Sequence, residues 1–229
     1  MAHLVVALDY TTAKDAMHMA HTLKGANVWM KVGMELFTRE GPAVMQDLHD
    51  LGFKVMLDLK FFDIPNTVRG GVRSASLRHA DIVTLHLLGG ERMCRAAVEE
   101  ARSLEHTPML FGVTVLTSME PGELPGFGDI SALATGLAAK AAAWGLDGVV
   151  CSGQEVQAIK QAHPGLKCLT PGIRPAGSDT DDQRRIVTPA DAVSRGSDFL
   201  VVGRPILKAP DPAAAVRAIL GDMAQARPA

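Results

Sequence analysis

Val55-Met56-Leu57-Asp58-Leu59-Lys60-Phe61-Phe62-Asp63-Ile64-Pro65-Asn66-Thr67 begins as an apolar strand and ends as a polar turn. It opens within one of eight short β-branched or aliphatic runs, at residues 4–9, 28–32, 53–59, 81–85, 109–116, 147–151, 166–170 and 198–202. Between them lie Ala/Leu-rich stretches with apolar residues three and four apart, such as Ala13 to Leu23, Pro42 to Leu51 and Ala132 to Trp144, which read as helices. Consecutive parallel strands need helical crossovers, and eight strand-helix units in 229 residues take about 29 residues each, close to the usual size of an eightfold barrel. The expected fold is therefore α/β, a (β/α)8 TIM barrel, as a single domain over residues 1–229.

An open doubly wound sheet would announce itself with a glycine-rich turn after the first strand. Here that strand runs out through Ala7-Leu8-Asp9-Tyr10-Thr11-Thr12, and neither a dinucleotide fingerprint nor a lysine-bearing phosphate loop occurs. No linker or shift in composition marks a second domain. Two long polar segments, Thr117 to Asp129 and Ile173 to Val187, have the length of lids or binding loops.

Composition removes other classes. With 23 Lys and Arg against 25 Asp and Glu the formal charge is −2, so no global field would hold a nucleic acid. Seven Phe, two Trp and one Tyr leave few surfaces for stacking bases. At 47% hydrophobic and 21% charged the chain has the balance of a folded globule. No apolar run nears the roughly 20 residues of a membrane span, so a soluble protein without a membrane partner is expected. The start shows no secretory signal pattern, and Cys94, Cys151 and Cys168 are odd in number without metal-type spacing; both suit a cytoplasmic protein with reduced, buried thiols.

In a barrel the chemistry sits at the C-terminal ends of strands. The first run ends at Asp9, the second carries Lys31, and Asp58 and Lys60, two apart, should share one face at the mouth with Asp63 in the loop beyond. A lone Asp-x-Lys reads most simply as a structural ion pair. Four charges converging on one mouth are costly to desolvate, which turns the reading toward function. The seventh run ends Thr170-Pro171-Gly172-Ile173-Arg174-Pro175 and the eighth Val202-Gly203-Arg204-Pro205-Ile206, where barrel enzymes often bind phosphate through backbone amides and a bidentate arginine.

Asp58-Leu59-Lys60-Phe61-Phe62-Asp63-Ile64-Pro65-Asn66-Thr67 resembles the signature of the orotidine 5′-monophosphate decarboxylase family. So do Ala7-Leu8-Asp9, Lys31-Val32-Gly33, Leu116-Thr117-Ser118, Asp182-Gln183-Arg184-Arg185 and the two strand-seven and strand-eight motifs, all in the order of the bacterial form. The resemblance implies loss of CO2 from C6 of orotidine 5′-monophosphate to give UMP, the last step of de novo pyrimidine synthesis, with no cofactor and no metal. It implies Lys60 as proton donor to C6, Asp58 beside the departing carboxylate, and Lys31 linking Asp58 to ribose hydroxyls that Asp9 also binds. It further implies a homodimer with shared sites, Asp63 and Thr67 completing the partner's. Phosphate would fall to Arg204, the backbone at Gly203 and Gln183, and the pyrimidine to Thr117 or Ser118. Arg174 would stand at the hinge of a 173–187 loop that phosphate contacts close.

Other residues have plainer expectations: His86 structural or at an interface, His18 and His21 in solvent, the methionines, Trp29 and Trp144 as packing, and Cys151-Ser152 with no local base to make a nucleophile. The rival enzyme is a magnesium-dependent sugar-phosphate barrel of the 3-keto-gulonate-6-phosphate decarboxylase or hexulose-phosphate synthase kind, which shares Asp-x-Lys-x-x-Asp. An acidic metal ligand is expected there where this chain has Lys31. A catalytically silent phosphate-binding barrel would instead have lost Lys60 or its carboxylates.

Overall fold

The computed structural model describes residues 2–119, 122–123, 128–175 and 187–226. The chain alternates β1 (His3–Ala7), α1 (Ala13–Thr22), β2 (Val28–Gly33), α2 (Met34–Glu40), α3 (Ala43–Asp50), β3 (Lys54–Phe61), α4 (Pro65–Ser76), β4 (Ile82–His86) and α5 (Gly90–Ser103). It continues through β5 (Met109–Val113), α6 (Ile130–Trp144), β6 (Gly148–Val150), α7 (Val156–Ala162), β7 (Lys167–Thr170), α8 (Pro189–Ser194), β8 (Phe199–Val202), α9 (Arg204–Leu207) and α10 (Pro212–Gln225). Each strand pairs in parallel with the next, and β8 returns to β1 to close the barrel. Among the described residues no helix is long and apolar enough to cross a membrane.

Alternation along the strands sorts side chains into two cores. Outward residues such as Val6, Val32, Leu57 and Leu85 pack under the helices, while Val5, Trp29, Met56, Ile82, Phe111, Leu169 and Phe199 fill the barrel. Trp29 and Phe111 meet Phe199 edge-on, with centroids 5.2 and 5.5 Å apart, the arrangement aromatic quadrupoles favour. Gly148 leaves the room this needs: a Cβ there would lie 2.4 Å from the Phe111 ring. The smaller Ala7, Val113, Val150 and Val201 stand nearer the C-terminal mouth, so the barrel is filled below and open above.

Three aspartates preceding alternate strands fix the register at the opposite end. Asp81, Asp147 and Asp198 each accept from a backbone N–H of the preceding strand, Val55 at 2.8 Å, Leu110 at 2.7 Å and Cys168 at 2.7 Å. Each carboxylate thus satisfies the N–H of the second residue of a strand, at the N-terminal end of the barrel.

The strand ends differ from expectation in detail. β1 stops at Ala7 and β5 at Val113, while β3 runs on to Phe61 through a break in register. The segment 176–186, including the Asp182 to Arg185 motif, lies outside the described residues.

Candidate active site

The inward positions that build the core continue upward into the site. Asp9 lies beyond Val5 and Ala7, Lys31 follows Trp29, Asp58 follows Met56, and Thr84 follows Ile82. Adjacent strands therefore set four polar side chains into one layer above the hydrophobic floor.

Lys31 Nζ donates to Asp9 Oδ1 at 3.0 Å and lies 3.8 Å from Asp58 Oδ2. Lys60 Nζ donates to the other Asp58 oxygen at 2.9 Å. The order Asp9, Lys31, Asp58, Lys60 alternates in sign, so no charge in the row faces a like neighbour. Burial pushes the Asp58 carboxyl up, but the Lys31 and Lys60 ammoniums, with hydrogen bonds from Lys60 and Thr84, outweigh it and hold it below its ordinary range. Lys31 and Asp58 are sealed at 10% and 14% side-chain exposure, whereas Lys60 keeps 30% and Asp9 59%, so the row runs from a fixed interior to groups that a ligand can reach.

Lys60 and Asp58 do face the same way, yet not through simple alternation. Lys60 has φ of 51°, in the left-handed region a side chain rarely adopts. Such backbone persists only where its surroundings over-determine it, and it concentrates at functional sites. Gly33 makes room for Lys31: a Cβ there would stand 2.7 Å from Nζ.

A cavity of about 260 Å³ opens over this row. Its polar lining is Asp9, Lys31, Asp58, Lys60, Thr117, Arg174, Gly203 and Arg204, and its floor includes Met56, Val113, Val150, Leu169 and Val201. Arg174 is buried, donates from Nη1 to the Ile173 carbonyl at 3.0 Å and from its backbone N–H to the Val187 carbonyl at 3.0 Å, while an Ile173–Val187 bridge joins the two ends of the 173–187 segment. Gln183 lies outside the described residues. Ser118 is exposed and does not line the cavity; among the described residues of that loop Thr117 is the polar group that does. Asp63 and Thr67 do not line the cavity either: both are exposed, both line a shallow groove with Lys60, Phe61, Phe62 and Val68, and Asp63 Oδ1 accepts from the Ile64 N–H at 2.6 Å.

The cysteines and the α1 histidines lie away from the charge row. All three cysteines are free and buried; burial raises Cys94 to about 12, and Cys151 is pushed well up by contact with Cys168 and by burial, so neither is poised as a thiolate. His18 and His21 are exposed. Among the described residues no group of three or more His, Cys, Asp or Glu is arranged to hold a metal ion.

Thr84 was not anticipated. It is fully buried, accepts from the Lys60 backbone N–H at 3.0 Å and donates to Asp58 Oδ1 at 3.0 Å. The available signal was its place in Ile82-Val83-Thr84-Leu85-His86: a hydroxyl two residues after a core-facing isoleucine falls in the layer of Lys31 and Asp58.

A closed parallel barrel whose C-terminal mouth carries an alternating charge row beside a Gly-Arg turn defines an enzyme of the (β/α)8 class. The chain belongs to the Orotidine 5'-phosphate decarboxylase / HUMPS family, which matches residues 2–219. It is 60% identical to the Orotidine 5'-phosphate decarboxylase of Nitratidesulfovibrio vulgaris (strain DP4), covering 99% of this chain and 100% of that one. It is 56% identical to the Orotidine 5'-phosphate decarboxylase of Lawsonia intracellularis, covering 97% and 100%. Among solved structures it resembles Orotidine 5'-phosphate decarboxylase from Lactobacillus acidophilus with a TM-score of 0.86 and 35% identity, over 97% of this chain and 99% of that one.

Proposed function

We propose that this chain, as one domain over residues 1–229, decarboxylates orotidine 5′-monophosphate to UMP and CO2 in cytoplasmic pyrimidine synthesis. The observation that carries the reading is the Lys60 ammonium 2.9 Å from Asp58 at the mouth, with Lys31 behind it and Arg204 across the cavity.

The bond between C6 and the carboxylate breaks, CO2 leaves, and the electron pair stays on C6. Without an electron sink in the base, that charge must be met electrostatically. Lys60 Nζ lies within the cavity to do so, and then transfers its proton to C6; water returns a proton to Lys60 afterward. Because the ammonium gains most as negative charge develops, it favours the transition state over the bound substrate. Asp58 fixes the ammonium and borders the departing carboxylate. Lys31 and Asp9 take the ribose hydroxyls. Arg204, the Gly203 backbone and Gln183 take the phosphate, Thr117 meets the base, with Ser118 beside it, and Arg174 steadies the hinge of the 173–187 loop.

Asp63 and Thr67 enter the site of a second chain in a homodimer. Neither residue lines its own chain's cavity, and both are exposed beside the exposed apolar side chains of Phe62 and Ile64, which supports this reading. The test is formation of UMP from orotidine 5′-monophosphate by the purified protein in excess chelator. Turnover is expected at full rate; no UMP, or a requirement for added magnesium, overturns the reading.

A further inference from the structure

The two strands beside the charge row fall out of step at Lys60. Leu57 pairs with Val83, and the next pairing is Phe61 with Leu85, so β3 advances four residues while β4 advances two. Lys60 lies within that excess at φ of 51°. Its N–H therefore meets a side-chain hydroxyl, Thr84 Oγ1 at 3.0 Å, where a regular ladder would offer a carbonyl. The same hydroxyl donates to Asp58 Oδ1 at 3.0 Å, the oxygen that receives Lys60 Nζ at 2.9 Å. One atom thus contacts the backbone of the lysine and the carboxylate that holds its side chain. Thr84 is fully buried, and branching at Cβ restricts its χ1, so the hydroxyl has little freedom to point elsewhere.

We propose that Thr84 is a positioning residue for the decarboxylation: its hydroxyl, used as acceptor and donor at once, holds Lys60 in its left-handed conformation and locks Asp58 so that the ammonium is presented to C6. The proposal rests on the decarboxylase reading. It does not place Thr84 against substrate, and Thr84 does not line the cavity. A valine of the same shape would leave the Lys60 N–H without its acceptor and Asp58 short of one donor, whereas serine keeps both bonds.

The test compares wild type with Thr84→Val and Thr84→Ser in steady-state decarboxylation and UMP affinity, with a crystal structure of the valine variant. Thr84→Val is expected to lower kcat about 10- to 100-fold, with KM and UMP affinity within about threefold, because the lost bonds orient the reacting lysine rather than the nucleotide. Thr84→Ser should return to within about threefold of wild type. In the valine variant Lys60 should leave positive φ, with Nζ beyond about 4 Å from Asp58. Should that variant not fold, Thr84→Cys, a weak donor of similar size, replaces it with the same readouts.

An unchanged kcat in the valine variant, a serine variant as impaired as valine, or Lys60 still at positive φ against Asp58 overturns the proposal. Failure of the wild type to make UMP strikes the decarboxylase reading instead. Lys60 geometry in the variant crystal needs no turnover and still decides what Thr84 holds.

Discussion

Lys31 Nζ lies so close to Gly33, two residues along the same strand, that a Cβ on the glycine would stand 2.7 Å from the nitrogen. The obstructed atom is the far end of a flexible side chain, so the ammonium would yield and the strand would not. Gly33→Ala is therefore expected to lower kcat/KM about 10-fold or more while the urea midpoint hardly moves, since Lys31 would lose its place between Asp9 and Asp58. Steady-state kinetics beside an unfolding curve checks both halves.

Gly148 presents the opposite case. A Cβ there would meet the Phe111 ring at 2.4 Å and the Lys167 carbonyl at 2.6 Å, and a backbone oxygen in the barrel ladder cannot swing aside. Gly148→Ala should destabilise the fold by about 1–3 kcal/mol in urea unfolding, with activity per folded molecule preserved. A neutral effect would mean that β6 and β7 separate more readily than their pairing implies.

Eight apolar runs and the polar residues ending them were legible because burial between helices and a packed interior leaves no choice but continuous aliphatic strands. Asp9, Lys31, Asp58 and Lys60 were legible because charge at the end of such a run is expensive. The positive φ at Lys60 was not: a break in register depends on how β4 lies beside β3, and nothing local in Leu59-Lys60-Phe61 records it. Thr84 was missed although its place two residues after Ile82 set it in the inward layer, a hydroxyl in a strand being ordinary until its partners are known. The three aspartates at 81, 147 and 198 were also passed over, although each directly precedes a strand.

If Lys60 gives up the proton, its removal must spare nucleotide binding. Lys60→Ala should reduce turnover by about 10³-fold or more, while UMP affinity, for which the proposed phosphate and ribose contacts would remain, stays within a few fold. Single-turnover assays and calorimetric titration with UMP separate the two. Parallel loss of affinity and rate would assign Lys60 to binding.

His86 gives the fold a dependence on pH. Burial, and then the nearby Lys60 charge, lower its pKa from the ordinary 6.5, and its Nδ1 is buried without a hydrogen-bond partner. The unfolded chain therefore takes up the proton at higher pH than the folded one. Stability is full above 6.5 and falls as pH drops through 6.5 toward the folded pKa. His86→Asn should flatten that decline relative to wild type, read as urea midpoints between about pH 5 and 7.5. Identical slopes in the two proteins would remove His86 from the account.

Asp63 offers the sharpest view of whether two chains make one site. It is exposed and outside the cavity that holds Asp58 and Lys60, so in a lone chain Asp63→Ala should leave the chemistry untouched. In a dimer with shared sites both Asp63→Ala and Lys60→Ala homodimers should be impaired, each for want of a different chain's residue. Mixing them pairs an intact Lys60 on one chain with an intact Asp63 on the other. One site in each mixed dimer is then whole and its companion lacks both groups. Free exchange of equal amounts should restore about one quarter of wild-type sites, a gain that neither parent can show alone. Recovery should appear on the timescale of subunit exchange, followed by mass spectrometry of differently tagged chains. Verified exchange without recovered UMP formation would place both residues in the same chain's site or remove Asp63 from the chemistry altogether.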